Sequence, residues 1–315
     1  MPDTPMTWPI ALLHACLRVF GLLPLRFVHV VGAVVGHCAW ALHGRSRNIA
    51  ERNLALVLTQ NSAQSRHALA KKTLIETGRS LTEVLAVWGG GAPRALRHVV
   101  DVRGRELFEA AAANGHGLII AAPHLGCWEL LNYWLAAQRP LAILYRAPRQ
   151  RALEPLSRRV RGVPGVEQIR ADGSGVRALF RRLTGGGMVG ILPDQQPRRG
   201  EGVYAPLFGV PASTMVLLPR LAERTGATVL FAFAERLERG AGYRLHFLPA
   251  PDGIADTDPH VACSALNRGV EQCVALAFTQ YQWTYKRWPR SAVAPAVAQP
   301  APTSAPAVRS APDED

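Results

Sequence analysis

The chain has 315 residues, of which 48% are hydrophobic, enough to bury a sizeable core, so a largely disordered chain is excluded. Lys and Arg total 36 against 23 Asp and Glu, a net charge of +13 that points to an anionic partner: phosphate, nucleic acid, an anionic membrane surface or an acidic protein. The five cysteines are widely spaced, with no CxxC pair and no histidine cluster at zinc-ligand spacing, which speaks against a disulfide framework or a metal site and for a reduced, cytosolic setting.

Residues 8 to 42 are apolar apart from Arg18, Arg26 and three histidines, and Pro24 divides them into two helical pieces. The second, Phe27 to Leu42, is sixteen residues, short of the roughly 20 that cross a bilayer squarely. It spans marginally, lies in the interface, or packs on the main domain as a buried pair. Arg45, Arg47 and Arg52 follow, and if the segment spans, they keep what comes after in the cytoplasm.

Residues 45 to 59 and 63 to 88 read as helices, the second capped by Ser62. From Gly117 short apolar runs alternate with amphipathic stretches. Strands are expected at 117 to 122, 141 to 145, 188 to 192, 228 to 234 and 243 to 248; helices at 129 to 137, 151 to 161, 174 to 185, 213 to 225 and 258 to 279. This is the pattern of an α/β domain with a mixed, largely parallel sheet flanked by helices. From Ser291 the chain is mostly Ala, Pro and Ser, a disordered tail by composition. The expected organisation is therefore apolar anchoring helices over 1–44, an α/β domain over 45–290, and a tail over 291–315.

In such a domain, chemistry gathers where strands end at their carboxyl edge. "GLIIAAPHLGCWELL" (117 to 131) has that layout: Pro123 stops the strand, His124 and Gly126 occupy the turn, and Glu129 opens the helix. Five helical steps would leave His124 and Glu129 about 140° apart, so they meet only if His124 leaves the helical track. A carboxylate on one ring nitrogen would fix the other as the basic one. Spacing alone leaves two readings open, this catalytic pair and a capping histidine with a surface glutamate. Cys127 beside Trp128 is a third, a thiol nucleophile, but it lacks the "CGSCW" setting of the papain-like proteases.

"GGGMVG" (185 to 190) fits G-x-G-x-x-G by letter, yet it leads into a strand rather than out of one, so it reads as a helix stop and turn. The stretch 192 to 214, "LPDQQPRRGEGVYAPLFGVPAST", reads as a long functional loop ending near Ser213 as a helix cap. In it Asp194, Gln195 and Gln196 suit a sugar or a reacting hydroxyl, and Arg198 and Arg199 suit phosphate. Arg146 and Arg149 of "YRAPRQ" are further phosphate or carboxylate candidates. "QYQWTYKRWPR" (280 to 290) interleaves aromatic and basic residues, as a membrane interface, a glycolipid site, single-stranded nucleic acid or a plain helix end would.

Together these blocks resemble a family. "PHLGCWE" is similar to the H-x4-[DE] block of glycerolipid-type acyltransferases, and with "YRAPR", the "LPDQQP" stretch and "QYQWTYKRWPR" it resembles the late lipid A biosynthesis acyltransferases of Gram-negative bacteria. The resemblance runs from the N-terminal apolar helix to about Arg290. It implies His124 as general base and Glu129 as its orienting partner. It also implies direct attack of a hydroxyl on a thioester, with Arg146 and Asp194 in the substrate site. It implies acyl carrier protein as donor, a phosphorylated glycolipid as acceptor, no cofactor or metal, no nucleic acid, and the cytoplasmic face of the inner membrane. "LPDQQP" stands where glycerol-phosphate members carry an F-P-E-G block, which favours a glycolipid acceptor. Another glycolipid or a lysophospholipid acceptor, and a non-catalytic basic membrane- or nucleic-acid-binding protein, are the alternatives.

Overall fold

The computed structural model describes residues 8–145, 160, 162–170, 173–198 and 200–289. Helices α1 (Trp8–Gly21), α2 (Leu25–Ala41), α3 (Arg45–Val57) and α4 (Ala63–Leu96) precede the α/β part. Pro24 sits between the first two as predicted, and Ser62 caps α4 by accepting the Ser65 amide at 3.1 Å. Helical structure continues past the predicted end of α4 to Leu96, with a break at Gly91 (φ 71°). No single described helix is long and apolar enough to cross a membrane; Leu12–Gly21 and Leu25–Ala41 together reach that composition but are bent by 115°. Their outward side chains include exposed Leu13, Val19, Phe27, Val30 and Val34, with exposed Leu22 in the turn between them.

The remaining elements are β1 (Val99–Arg103), α5 (Arg105–Ala113), β2 (Leu118–Ala121), α6 (Trp128–Gln138), β3 (Leu141–Tyr145), β4 (Val166–Arg170), α7 (Gly173–Thr184), β5 (Met188–Ile191), β6 (Gly202–Leu207), β7 (Val210–Met215), α8 (Leu217–Thr225), β8 (Thr228–Arg236), β9 (Tyr243–Pro249) and α9 (Pro259–Leu276). Seven strands form one sheet in the order β1-β9-β8-β2-β5-β3-β4. Every neighbouring pair is parallel except β8 with β9, so the mixed, mostly parallel α/β sheet is as expected. β2 and β5 are buried along their whole length because helices cover both faces, which is why they read as unbroken apolar runs. Alternation along β2 sends Ile119 and Ala121 into the core with Leu179, Leu218, Leu266 and Trp283, and Leu118 and Ile120 into the core with Phe108, Leu130 and Trp134.

Three expectations need correction. The stretch 192 to 214 is not all loop: β6 and β7 form an antiparallel hairpin whose turn residues Phe208 and Gly209 both have positive φ (51° and 73°), as a type I′ turn requires. Ser213 therefore lies in β7 and caps no helix; α8 starts at Leu217. "QYQWTYKRWPR" lies beyond α9 and its aromatics form no open patch, since Tyr281, Trp283, Arg287 and Trp288 are all buried while Lys286 is exposed. The helix expected at 151 to 161, except Val160, and the tail from 291 lie outside the described residues.

The N-terminal helices are fastened to the sheet from inside. Glu83 of α4 accepts from Arg236 Nε of β8 at 2.6 Å and from Tyr243 of β9 at 2.9 Å, and pairs with His29 of α2 at 2.7 Å. Arg236 also pairs with Glu76 and donates to Ser80 at 2.9 Å. Burial pushes the Glu83 carboxyl up, but the Arg236 charge and the hydrogen bonds from His29 and Arg236 outweigh it and bring it down to about 2. α2 and α4 also touch backbone to backbone: a Cβ on Gly36 would lie 2.4 Å from Ile75 Cα, and one on Gly78 would lie 2.2 Å from the Gly32 carbonyl.

Candidate active site

β2 and β5 lie side by side with Ala121 opposite Ile191, and the pairing runs one residue further as Ala122 N–H donates to the Ile191 carbonyl at 2.9 Å. His124 and Asp194 each stand three residues beyond that matched pair, so parallel register alone brings them together. His124 Nδ1 lies 2.7 Å from Asp194 Oδ1, and the His124 backbone amide donates to Asp194 Oδ2 at 2.9 Å. Asp194 is buried; burial pushes its carboxyl up, but the electrostatic pull of His124 and the two hydrogen bonds it donates prevail and hold it below the usual carboxylate range. An ionised carboxylate has only acceptors, so Nδ1 carries the proton and Nε2 keeps a lone pair. Gln195 Nε2–H donates to that nitrogen at 3.1 Å.

His124 precedes α6 and is off the helical track, but its ring meets Asp194, so the departure does not serve the contact with Glu129 for which it was expected. Gly126, at φ 60°, makes the turn, and its amide donates to the Gln280 carbonyl at 3.3 Å. Cys127 N–H donates to the Ala234 carbonyl of β8 at 2.9 Å, and Gln282 N–H to the His124 carbonyl at 3.0 Å. A Cβ at position 126 would lie 1.9 Å from the Ala234 oxygen. The His124 ring packs against Trp128, with centroids 5.4 Å apart.

The carboxylate that meets the ring is thus Asp194, whereas the resemblance implied Glu129 and the local spacing left the matter open. Glu129 lies within α6, which begins at Trp128, and it is buried in the first turn of that helix, where a carboxylate suits the helix dipole. Cys127 is buried, and burial pushes its thiol well up, so it remains protonated and unreactive. Arg198 is exposed, while Arg146, Arg149 and Arg199 lie outside the described residues. Among the described residues no cluster of His, Cys, Asp and Glu is placed to hold a metal ion.

Sequence reasoning missed the support behind the pair. Tyr281, Tyr285 and Arg287 line the same small cavity as Asp194, and Arg287 donates to the Ser213 carbonyl at 2.6 Å. Burial draws the Arg287 guanidinium down, with Tyr281 and the Asp194 carboxylate opposing. Gln280 clasps the Arg236 backbone through two 2.9 Å hydrogen bonds, which ties the catalytic turn to the ionic cluster under α4. The density of aromatics and cations in "QYQWTYKRWPR" is the available signal, but composition alone does not separate a buried support from a surface patch.

A family model described as bacterial lipid A biosynthesis acyltransferase matches residues 2–290. The chain is 27% identical over 270 residues to the lipid A biosynthesis palmitoleoyltransferase of Escherichia coli, covering 84% of this chain and 86% of that one. It is 26% identical over 269 residues to the lipid A biosynthesis lauroyltransferase of the same organism, with the same coverage. Over 222 residues it is 29% identical to a phosphatidylinositol mannoside acyltransferase of Mycobacterium tuberculosis, covering 68% of each chain. With a match over nearly its whole length, the chain belongs to the bacterial lipid A biosynthesis acyltransferases.

Proposed function

We propose that this acyltransferase moves a fatty acyl chain from acyl carrier protein to a hydroxyl of a lipid A precursor at the cytoplasmic face of the inner membrane, with His124 as general base and Asp194 as the carboxylate that orients it. The observation that carries the mechanism is the Nδ1 to Asp194 contact of 2.7 Å, because it leaves the Nε2 lone pair as the proton acceptor. The acceptor hydroxyl takes the place of the Gln195 amide at Nε2 and attacks the thioester carbonyl as its proton passes to Nε2. Released from the ring, the Gln195 N–H donates to the developing oxyanion. Collapse expels the thiolate, which takes the proton back from the imidazolium. The attack is direct in this reading, and the burial of Cys127, the thiol in the turn, speaks against a thiol nucleophile.

The exposed apolar side chains of α1 and α2 support attachment by lying in the membrane surface, and the net charge of +13 suits both an acidic carrier and a phosphorylated acceptor. The mycobacterial relative favours a second reading, a different membrane glycolipid as acceptor.

Purified enzyme with acyl carrier protein thioester and lipid A precursor tests the reading. His124→Ala loses transfer with an unchanged circular dichroism spectrum, while Cys127→Ala keeps it. Near-normal turnover in His124→Ala overturns the mechanism. Mass spectrometry of lipid A from cells lacking the gene identifies the missing chain; an intact secondary acyl pattern overturns the acceptor.

A further inference from the structure

A cleft of ≈ 450 Å³ opens where α3 meets the C-terminal segment, lined by Arg45, Asn48, Ile49, Arg52, Asn53 and Lys286. Three of the six are cations and none is a carboxylate. Neighbouring Arg47 is already engaged: its Nε donates to Glu51 at 3.0 Å and its guanidinium lies 4.0 Å over the Trp40 ring. Arg45 and Lys286 are exposed, and among the described residues no ion pair joins Arg45, Arg52 or Lys286 to a carboxylate. Like charges gathered at one opening repel, and an anion with several acceptor oxygens relieves that.

The cleft is held firm and sits beside the chemistry. Buried Asn53 donates to the Trp283 and Tyr285 carbonyls at 2.8 and 2.7 Å, and Arg52 donates to the Trp288 carbonyl at 2.7 Å. From there the connection to the ring is short: Gln196 donates through its backbone amide to the Tyr285 hydroxyl at 3.0 Å and through its side chain to the Lys286 carbonyl, and Gln195 is on His124. On the other side α3 follows directly from α2 and its apolar outer face.

We propose that this cleft binds a phosphate group of the membrane-resident acceptor, so that Arg45, Arg52 and Lys286 fix which hydroxyl reaches His124. The inference rests on the glycolipid-acceptor reading above. A phosphate anchored between the apolar helices and the catalytic ring leaves the acceptor's acyl chains in the membrane surface and its headgroup over the site.

The test uses the full-length enzyme in detergent micelles, with Arg45→Gln/Lys286→Gln introduced at the two exposed positions. Two acceptors are compared, the phosphorylated lipid A precursor and the same molecule after phosphatase treatment. The double variant raises KM for the phosphorylated acceptor about 10-fold or more, with kcat little changed, and leaves KM for the dephosphorylated one alone. A KM that is unchanged, or that rises equally on both acceptors, overturns the proposal. Loss of binding to phosphatidylglycerol vesicles with KM unaltered also overturns it and assigns the cleft to bulk lipid. Salt-sensitive oligonucleotide binding that disappears in the variant with KM unaltered does the same in favour of nucleic acid. Absence of turnover by the wild-type enzyme on the precursor instead overturns the acceptor reading, which separates the two failures. In that case the 31P NMR shifts of the phosphorylated precursor, identical with wild type and double variant, overturn the cleft.

Discussion

Asp194→Asn is the most informative single change. The carboxylate offers one oxygen to the His124 ring at 2.7 Å and the other to the His124 backbone amide at 2.9 Å. An amide has a single carbonyl oxygen, so one of those two N–H groups must face an NH2 group, itself a donor. If the backbone keeps the oxygen, the ring gives up its Nδ1 proton and carries it on Nε2, and the base is lost. If the ring keeps the oxygen, the turn loses a charge-assisted hydrogen bond of about 1.5–3 kcal/mol. General-base catalysis is worth about 10²–10⁴, so kcat falls within roughly that range while KM for either substrate changes little. Steady-state kinetics on purified enzyme measures the split, and 15N NMR of histidine-labelled protein reads the tautomer directly. A kcat within about threefold of wild type, with the Nδ1–H form retained, refutes the pairing. A tautomer change in Glu129→Gln but not in Asp194→Asn hands the orienting role to Glu129.

Gly126→Ala forces a side chain into a left-handed residue at about 1–2 kcal/mol and drives its Cβ against the Ala234 oxygen, breaking the Cys127 bond there for about 1 kcal/mol more. We expect melting lower by on the order of 5–10 °C, read by thermal unfolding, together with loss of activity; an unchanged melting temperature contradicts the close approach. Glu83 is depressed from 4.5 to about 2, so its contribution is full above the unfolded-state value and is lost as pH falls through that window. Acid unfolding followed by fluorescence therefore has a shallower limb in Glu83→Gln than in wild type. At neutral pH the variant is less stable by about 3 kcal/mol, because among the described residues Arg236 keeps only Glu76 as a charged partner. Equal acid limbs contradict the buried pairing.

The strands that can be read from sequence are the apolar runs "GLIIAA", "LAILY", "MVGIL" and "TVLFAFA" and the alternating "YRLHFL", and each is a strand within a residue or two. β1 and β4 escape because they are sheet edges, and "VVDVR" and "VEQIR" mix charge into half-exposed positions. The β6–β7 hairpin is hidden by the opposed prolines Pro206 and Pro211 and by a Phe-Gly turn in place of the usual Asn-Gly. At the site, His124 and its departure from the helical track are legible because strand, proline and glycine are local signals. Asp194 is recognisable as a site residue but not as the ring's partner. That pairing depends on β2 and β5 being neighbours in register, which nothing near either residue encodes. Arg287 and Gln280 act through a segment that returns to the site from the far end of the chain.

The glycine contacts between α2 and α4, with the ionic cluster beneath them, bear on how the enzyme meets a surface. Helices joined backbone to backbone at Gly32, Gly36 and Gly78 cannot swing on the sheet as a tethered anchor would. The distance from the outer apolar face to His124 is therefore a constant of the fold, and it acts as a gauge of height. Under the proposed attachment of α1 and α2 to a lipid surface, that fixed height would select among the acceptor's hydroxyls by their level above it.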